Sequence, residues 1–218
     1  VTAADLLRKQ SHNVVFLINE VLVSETVGEL KKISQQVPLL LQHSFESNMD
    51  EHDITYSISS VGRSINQQLL KQAEALLGEP PIAYAWVVAG SLARSEQIAH
   101  TDQDNLLILS DDYDEKLHGE YFSKLSAYVS DGLDECGYVY CPGDVMATNP
   151  KWRQPVSVWR SYYNSWISSP DPKALMYASI FFDLKCIYGS PELLDDMLSG
   201  VLNNTQKNTI FQSHMAHN

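Results

Sequence analysis

Basic residues are scarce in this chain of 218 residues. Lys and Arg number 15 against 27 Asp and Glu, a formal net charge of −12 at pH 7. So acidic a protein repels a phosphate backbone, which argues against sequence-independent binding to nucleic acid. A nucleotide substrate is still allowed, because a few local donors and a cation suffice to hold one. Cysteine is scarce too: Cys136, Cys141 and Cys186 show no Cys-x-x-Cys spacing. Neither a disulfide framework nor a zinc site is indicated, and the simplest setting is the reducing cytoplasm. No apolar run reaches the length of a membrane span, so no membrane partner is expected. The first residues lack the charged-then-apolar order of a secretion signal. Gly-x-Gly-x-x-Gly and Gly-x-x-x-x-Gly-Lys are both missing, which removes the dinucleotide-binding fold and the P-loop. There is no internal repeat and no low-complexity tract. The chain opens on Val1 rather than Met, as expected of a piece of a longer protein.

What is present is a composition with 44% hydrophobic residues, enough for the core of one large globular domain, or of one domain with a helical extension. Residues 1 to about 80 read as helical. Thr26-Val27-Gly28-Glu29 fits a capping box ahead of Leu30, Ile33 and Val37. Ile54, Ile58, Val61, Ile65, Leu69, Ala73 and Leu76 recur every three or four positions, which predicts a long helix with one apolar face. Gly78 suits its C-terminal end, and Pro80-Pro81 forbids continuation. This helix reads as a packing element without chemistry.

From Ile82 the pattern changes. Residues 84–89 and 105–110 are short continuous apolar runs, as expected of buried strands. The segment between them is too long for a tight hairpin and leaves room for a short helix after Gly90. An amphipathic helix is predicted over 114–134, carrying Leu117, Tyr121, Leu125, Tyr128, Val129 and Leu133 and ending at Gly137. Tyr138-Val139-Tyr140-Cys141 reads as a third strand, and residues 142–150 as a loop. Trp159 and Trp166, seven apart, share one helix face. Further helices are predicted over 172–188 and 191–201, the latter opened by Pro191 and Glu192. The fold class is therefore α/β or α+β: a small mixed sheet with helices before and after it.

The chemistry concentrates in Gly90-Ser91-Leu92-Ala93-Arg94-Ser95-Glu96 and Thr101-Asp102-Gln103-Asp104-Asn105. Glycine lets the backbone approach a ligand closely, and N–H groups opening a helix attract an anion. Asp102 and Asp104 alternate along an extended segment and so share one face. Two carboxylates that close raise each other's pKa unless a cation neutralises them, and Mg2+ is the usual one beside phosphates. Taken singly, each feature has a plain alternative: a Gly-Ser turn, and two solvated acids at a strand edge. Together they supply the parts of nucleotidyl transfer. Arg94 offers a planar fork of donors to a phosphate or pairs with Glu96 or another surface acid. His100 either touches phosphate or lies in the loop. Trp152, beside Asn149 and Lys151, is a candidate pocket wall, although the Trp152, Trp159 and Trp166 group suits a core equally.

This order of strand, Gly-Ser, spacer and Asp-x-Asp resembles the nucleotidyltransferase superfamily typified by DNA polymerase beta. Within it, the chain more closely resembles bacterial nucleotidyltransferases linked to CBS and cyclic-nucleotide-binding domains, relatives of the PII-protein uridylyltransferases. The resemblance rests on Gly78-Glu79-Pro80-Pro81, the two blocks above, Met146 through Trp152, and Ile180 through Lys185, spanning about residues 78–190. It implies that Gly90 and Ser91 receive a triphosphate and that Asp102 and Asp104 bind Mg2+, or Mn2+ in its place. Arg94, Glu96, Asn105 and Lys185 join the nucleotide-binding candidates, Lys185 standing where relatives more often have Arg. The superfamily has a third carboxylate. Asp183, read among apolar neighbours in a helix, and Asp144, in a loop after the third strand, are the alternatives. An N-terminal helical region over 1–77, a nucleotidyltransferase core over 78–202 and a tail from 203 follow. Val1 through Leu7 resembles the end of a CBS domain, and the residues after 203 the start of a truncated C-terminal domain, so flanking regulatory domains are expected in the parent chain.

The function expected is Mg2+-dependent transfer of a nucleoside monophosphate from a nucleoside triphosphate to a hydroxyl of a protein or small molecule. A PII-like signalling protein is one candidate acceptor. Two other readings stay open: a regulatory nucleotide-binding module without turnover, and a scaffold whose acids are merely solvated.

Overall fold

The structure, a computed structural model, describes residues 13–99, 101–168 and 172–205. His100, the stretch Val1–Leu7 and the tail from 206 lie outside the described residues. The chain divides into two compact units. One comprises residues up to Glu79 with Arg94–Gln103 and Lys124–Asp144; the other comprises Pro80–Ala93, Asp104–Ser123 and the residues from Val145 onward.

The first unit is helical. It holds α1 (Val14–Val23), α2 (Val27–Ser34), α3 (Val37–Glu46) and α4 (Glu51–Leu77), together with the second half of α6 (Glu115–Glu135). The capping box at α2 forms as expected: Thr26 Oγ1 accepts from Glu29 N, and Glu29 Oε2 accepts from Thr26 N. Asp50 caps α4 by accepting from His52 N at 2.9 Å. Gly78, at φ 91°, ends it in the left-handed region that glycine enters freely. Along α4 the predicted stripe of Ile54, Ile58, Val61, Ile65, Leu69 and Ala73 is buried. Each large side chain in it contributes about 1.5–3 kcal/mol of burial. Leu76, in the last turn, is 70% exposed and leaves the stripe, as does Leu117 in the first turn of α6. Two glycines seat this packing. A Cβ on Gly132 of α6 would meet Leu69 at 2.5 Å, and one on Gly62 of α4 would meet Gln97 Oε1 at 2.4 Å.

The second unit is built on a four-stranded mixed sheet in the order β3-β2-β1-β4. β1 (Tyr84–Ala89) runs antiparallel to β2 (Asn105–Leu109) and to β4 (Leu184–Gly189), while β2 runs parallel to β3 (Arg153–Pro155). Every residue of β1 and β2 is buried, the pattern their continuous apolar runs predict. The short helix expected after Gly90 is α5 (Gly90–Arg94). α7 (Val156–Ser168) buries Trp159 and Trp166 on one face, and the Trp159 indole donates to Leu107 O at 3.0 Å, joining helix to strand. α8 (Pro172–Ile180) and α9 (Pro191–Thr205) complete the unit.

Two expectations are corrected. Residues 138–141 form no sheet strand. Val139 makes an isolated parallel bridge to Asp102, and the third strand of the sheet is Arg153–Pro155. The helix expected over 172–188 stops at Ile180, and Leu184–Gly189 is strand β4. Asp183 therefore stands in the turn between them, half-buried, rather than buried in a helix.

Candidate functional site

In the second unit the site begins where β1 ends. Ala89 N donates to Asp104 O at 3.0 Å on one side, and Ala89 pairs with Leu184 on the other. Asp104, Gly90 and Asp183 thus gather at one end of the sheet. Asp104 and Asp183 lie on opposite sides of β1, with backbones about 10 Å apart from the spacing of two strand neighbours. Gly90 turns the chain from β1 into α5 at φ 58°. A Cβ there would stand 2.8 Å from Asp104 Oδ2. No other residue fits this turn without moving the carboxylate. Ser91 follows Gly90 in α5 and is half-buried.

In the first unit, Asp102 is exposed and held by its bridge to Val139. One Asp102 oxygen and Cys141 Sγ lie within 4.8 Å of each other. Asp102 and Asp104 flank Gln103 on one continuous segment, and they too offer oxygens within 4.8 Å of each other, as alternation along an extended chain requires. The donor chemistry fits a hard divalent cation: two carboxylates offer the oxygen ligands that Mg2+ and Mn2+ take. The Cys141 thiol is a softer donor than Mg2+ prefers.

The other predicted residues divide. Arg94 Nε donates to Glu96 Oε2 at 2.8 Å, with both side chains substantially exposed. Asn105 is 2% exposed, and its Oδ1 accepts from Ala147 N at 2.8 Å. It pins the 145–147 segment to β2 rather than facing outward. Lys185 pairs with Val88 on β4 and is exposed. Asp144 is exposed, at φ 55°, in the turn after Cys141. Trp152 is no pocket wall. It is 2% exposed and stacks on Trp159 with centroids 5.8 Å apart, inside a cluster with Phe181 and Tyr177. Lys151 Nζ sits 4.3 Å from the Trp152 ring and 4.0 Å from Tyr177.

Two residues escaped the sequence reading. Cys141 shows no disulfide or zinc spacing, and its distance in sequence from Asp102 hides their approach. Gln103 carries no motif signal, because the middle position of Asp-x-Asp admits any residue.

No curated protein matches the chain. Residues 35–173, well over half of it, match the model of a known family. That stretch includes Gly90, Ser91, Arg94, Glu96, Asp102, Asp104, Asn105, Cys141 and Asp144, while Asp183 and Lys185 lie beyond it. Among the described residues no helix is long and apolar enough to cross a membrane. With a glycine turn pressed against Asp104 and a second carboxylate two residues away, the chain belongs to the family described as "Putative nucleotidyltransferase DUF294".

Proposed function

We propose that this protein transfers a nucleoside monophosphate from a nucleoside triphosphate to an acceptor hydroxyl, with Mg2+ or Mn2+ as the working cation. The observation that carries this reading is the fit of Gly90 against Asp104: a residue with a Cβ would displace the carboxylate, so turn and acid form one unit. The family membership gives that unit its chemistry. Asp102 and Asp104 would hold the cation, which supplies charge neutralisation at the phosphates. The Gly90-Ser91 turn receives the triphosphate, and Arg94 leaves Glu96 to pair with a phosphate. Asp183, at the same end of the sheet as Asp104, is the third carboxylate, with Asp144 the alternative. The remaining work is positioning the acceptor in line with the α-phosphate. A hydroxyl of a PII-like signalling protein is the acceptor we favour, in a cytoplasmic protein whose parent chain carries regulatory domains.

A second reading is a nucleotide-binding module without turnover. It is favoured by one observation: within the first unit, among the described residues, the group beside Asp102 is the Cys141 thiol rather than another carboxylate.

Thermal unfolding with each of the four nucleoside triphosphates, with and without Mg2+, tests both. A nucleotide at a hundredfold excess over its Kd stabilises by about 2.7 kcal/mol, raising the Tm of a chain this size by about 5 °C or more. The shift should need Mg2+, favour one base and vanish in Asp102→Asn/Asp104→Asn. Pyrophosphate release in the presence of an acceptor separates the transferase from the module. No shift with any nucleotide would overturn both.

A further inference from the structure

The segment Ser95–Gln103, which delivers Asp102, is fastened to the helical unit at three points. Ser95 Oγ accepts from Arg63 Nη1 at 2.9 Å. Gln97 N donates to Ser59 Oγ at 3.0 Å, and the Gln97 side chain lies over Gly62 and donates to Thr101 Oγ1 at 2.6 Å. The third point is Gln103. Its backbone N donates to Val139 O at 2.9 Å. Its side-chain Nε2 donates to two backbone carbonyls, Ser130 O at 3.0 Å and Tyr138 O at 2.7 Å. Gln97 is 2% exposed and Gln103 4%.

Alternation along an extended segment sends Gln103 away from the face that carries Asp102 and Asp104. The Gln103 amide spends both Nε2 hydrogens on backbone carbonyls, while its Oε1 is buried without a hydrogen-bond partner among the described residues. The two donations therefore hold the rotamer, and losing them leaves the Tyr138 carbonyl short of a donor at about 1–3 kcal/mol. The side chain between the acids therefore fixes the height and rotation of the backbone that presents them. We propose that Gln103 is the positioning residue of the acidic pair, acting through the Ser130 and Tyr138 carbonyls, and that the Gln97–Gly62 contact is its second anchor. This rests on the reading of Asp102 and Asp104 as the cation site. Gln103 touches neither cation nor nucleotide in that reading; it holds the segment still.

The test compares Gln103→Leu with Gly132→Ala. The second change drives a Cβ into Leu69 in the same helical unit without removing any donor or acceptor of the Gln103 hydrogen bonds, and so serves as a control for general destabilisation. Two readouts are taken on folded protein: Mn2+ affinity in the presence of nucleoside triphosphate, by the paramagnetic resonance of free Mn2+, and hydrogen exchange of residues 97–105. Gln103→Leu should weaken Mn2+ binding by about tenfold or more, the usual effect of removing a supporting contact behind a metal ligand. It should also speed exchange across 97–105. Gly132→Ala should leave Mn2+ affinity within about twofold of wild type. Equal weakening by both variants, or unchanged Mn2+ affinity in Gln103→Leu, would overturn the proposal. Should wild type itself bind no Mn2+, the cation reading fails. Exchange then decides alone: faster exchange over 97–105 in Gln103→Leu only keeps Gln103 as the anchor, and unchanged exchange removes it.

Discussion

Gly90 and Asp104 are fitted to each other: the space where a Gly90 side chain would start, 2.8 Å from Asp104 Oδ2, is already taken by that carboxylate. Gly90→Ala therefore acts twice, placing a Cβ at a left-handed φ and pushing Asp104 aside. The backbone strain costs about 1–2 kcal/mol, a loss readable by denaturant unfolding. Nucleotide-dependent stabilisation should fall far more than this modest loss implies. A variant that keeps its full nucleotide shift would show that the Gly90–Asp104 fit is packing alone.

Arg94 and Glu96 form an exposed ion pair at 2.8 Å. Pairs of that kind contribute about 0.2–1 kcal/mol, so Arg94→Ala should lose no more than that from this pair in the unliganded protein. Its effect belongs in nucleotide affinity, which should weaken several-fold. Glu96→Gln should tighten it, since the carboxylate that competes for the guanidinium is gone. Titration of nucleotide by calorimetry distinguishes the opposite signs.

Burial pushes the Cys136 thiol up to about 12. Burial, together with the neighbouring Glu115 carboxylate, pushes Tyr113 up to about 12 as well. Burial also raises Tyr138 and Tyr163. Each group is held neutral in the folded chain, and the unfolded chain releases its proton first as pH rises. Their stabilisation is complete below the unfolded values and is lost from about pH 9 for the thiol and pH 10 for the tyrosines toward pH 12. The Tm should fall across that window, with the share of tyrosinate absorbance due to Tyr113, Tyr138 and Tyr163 rising at unfolding rather than before it. At pH 8 Cys136 stays a thiol, so mild alkylation of native protein should spare it.

Gly189 closes β4 at φ 83°, where a Cβ would meet Tyr84 O at 2.2 Å. Backbone cannot yield as a flexible side chain can. Gly189→Ala should destabilise by about 2–4 kcal/mol, seen as a lower unfolding midpoint. An unchanged midpoint would mean that the end of β4 is not held against β1.

The elements legible in the sequence are those whose signal is local. β1 and β2 are unbroken apolar runs, and α4 repeats its apolar positions at helical spacing, so their bounds follow from the residues. β3 is Arg-Gln-Pro, and only its partner β2 makes it a strand. The break between α8 and β4 contains neither glycine nor proline, so nothing in Phe181-Phe182-Asp183 announces the end of a helix. The candidate site was readable as Gly90, Asp102 and Asp104 because their spacing is short. The resemblance implies a nucleotide contact for Asn105; that its carboxamide also meets Ala147 across 42 positions is a partnership no local pattern names. Cys141 lay hidden for the same reason.

All four tryptophans of the chain, Trp86, Trp152, Trp159 and Trp166, fall in the unit that carries the sheet. Their emission consequently reports on that unit and is silent about the helical one, whose aromatic signal is tyrosine and phenylalanine. Melting followed at once by tryptophan fluorescence and by far-ultraviolet dichroism thus counts cooperative blocks without a label. Coincident midpoints mean that one transition dissolves the whole chain. A dichroism loss that precedes the fluorescence change means that the helices framing Gln103 melt first.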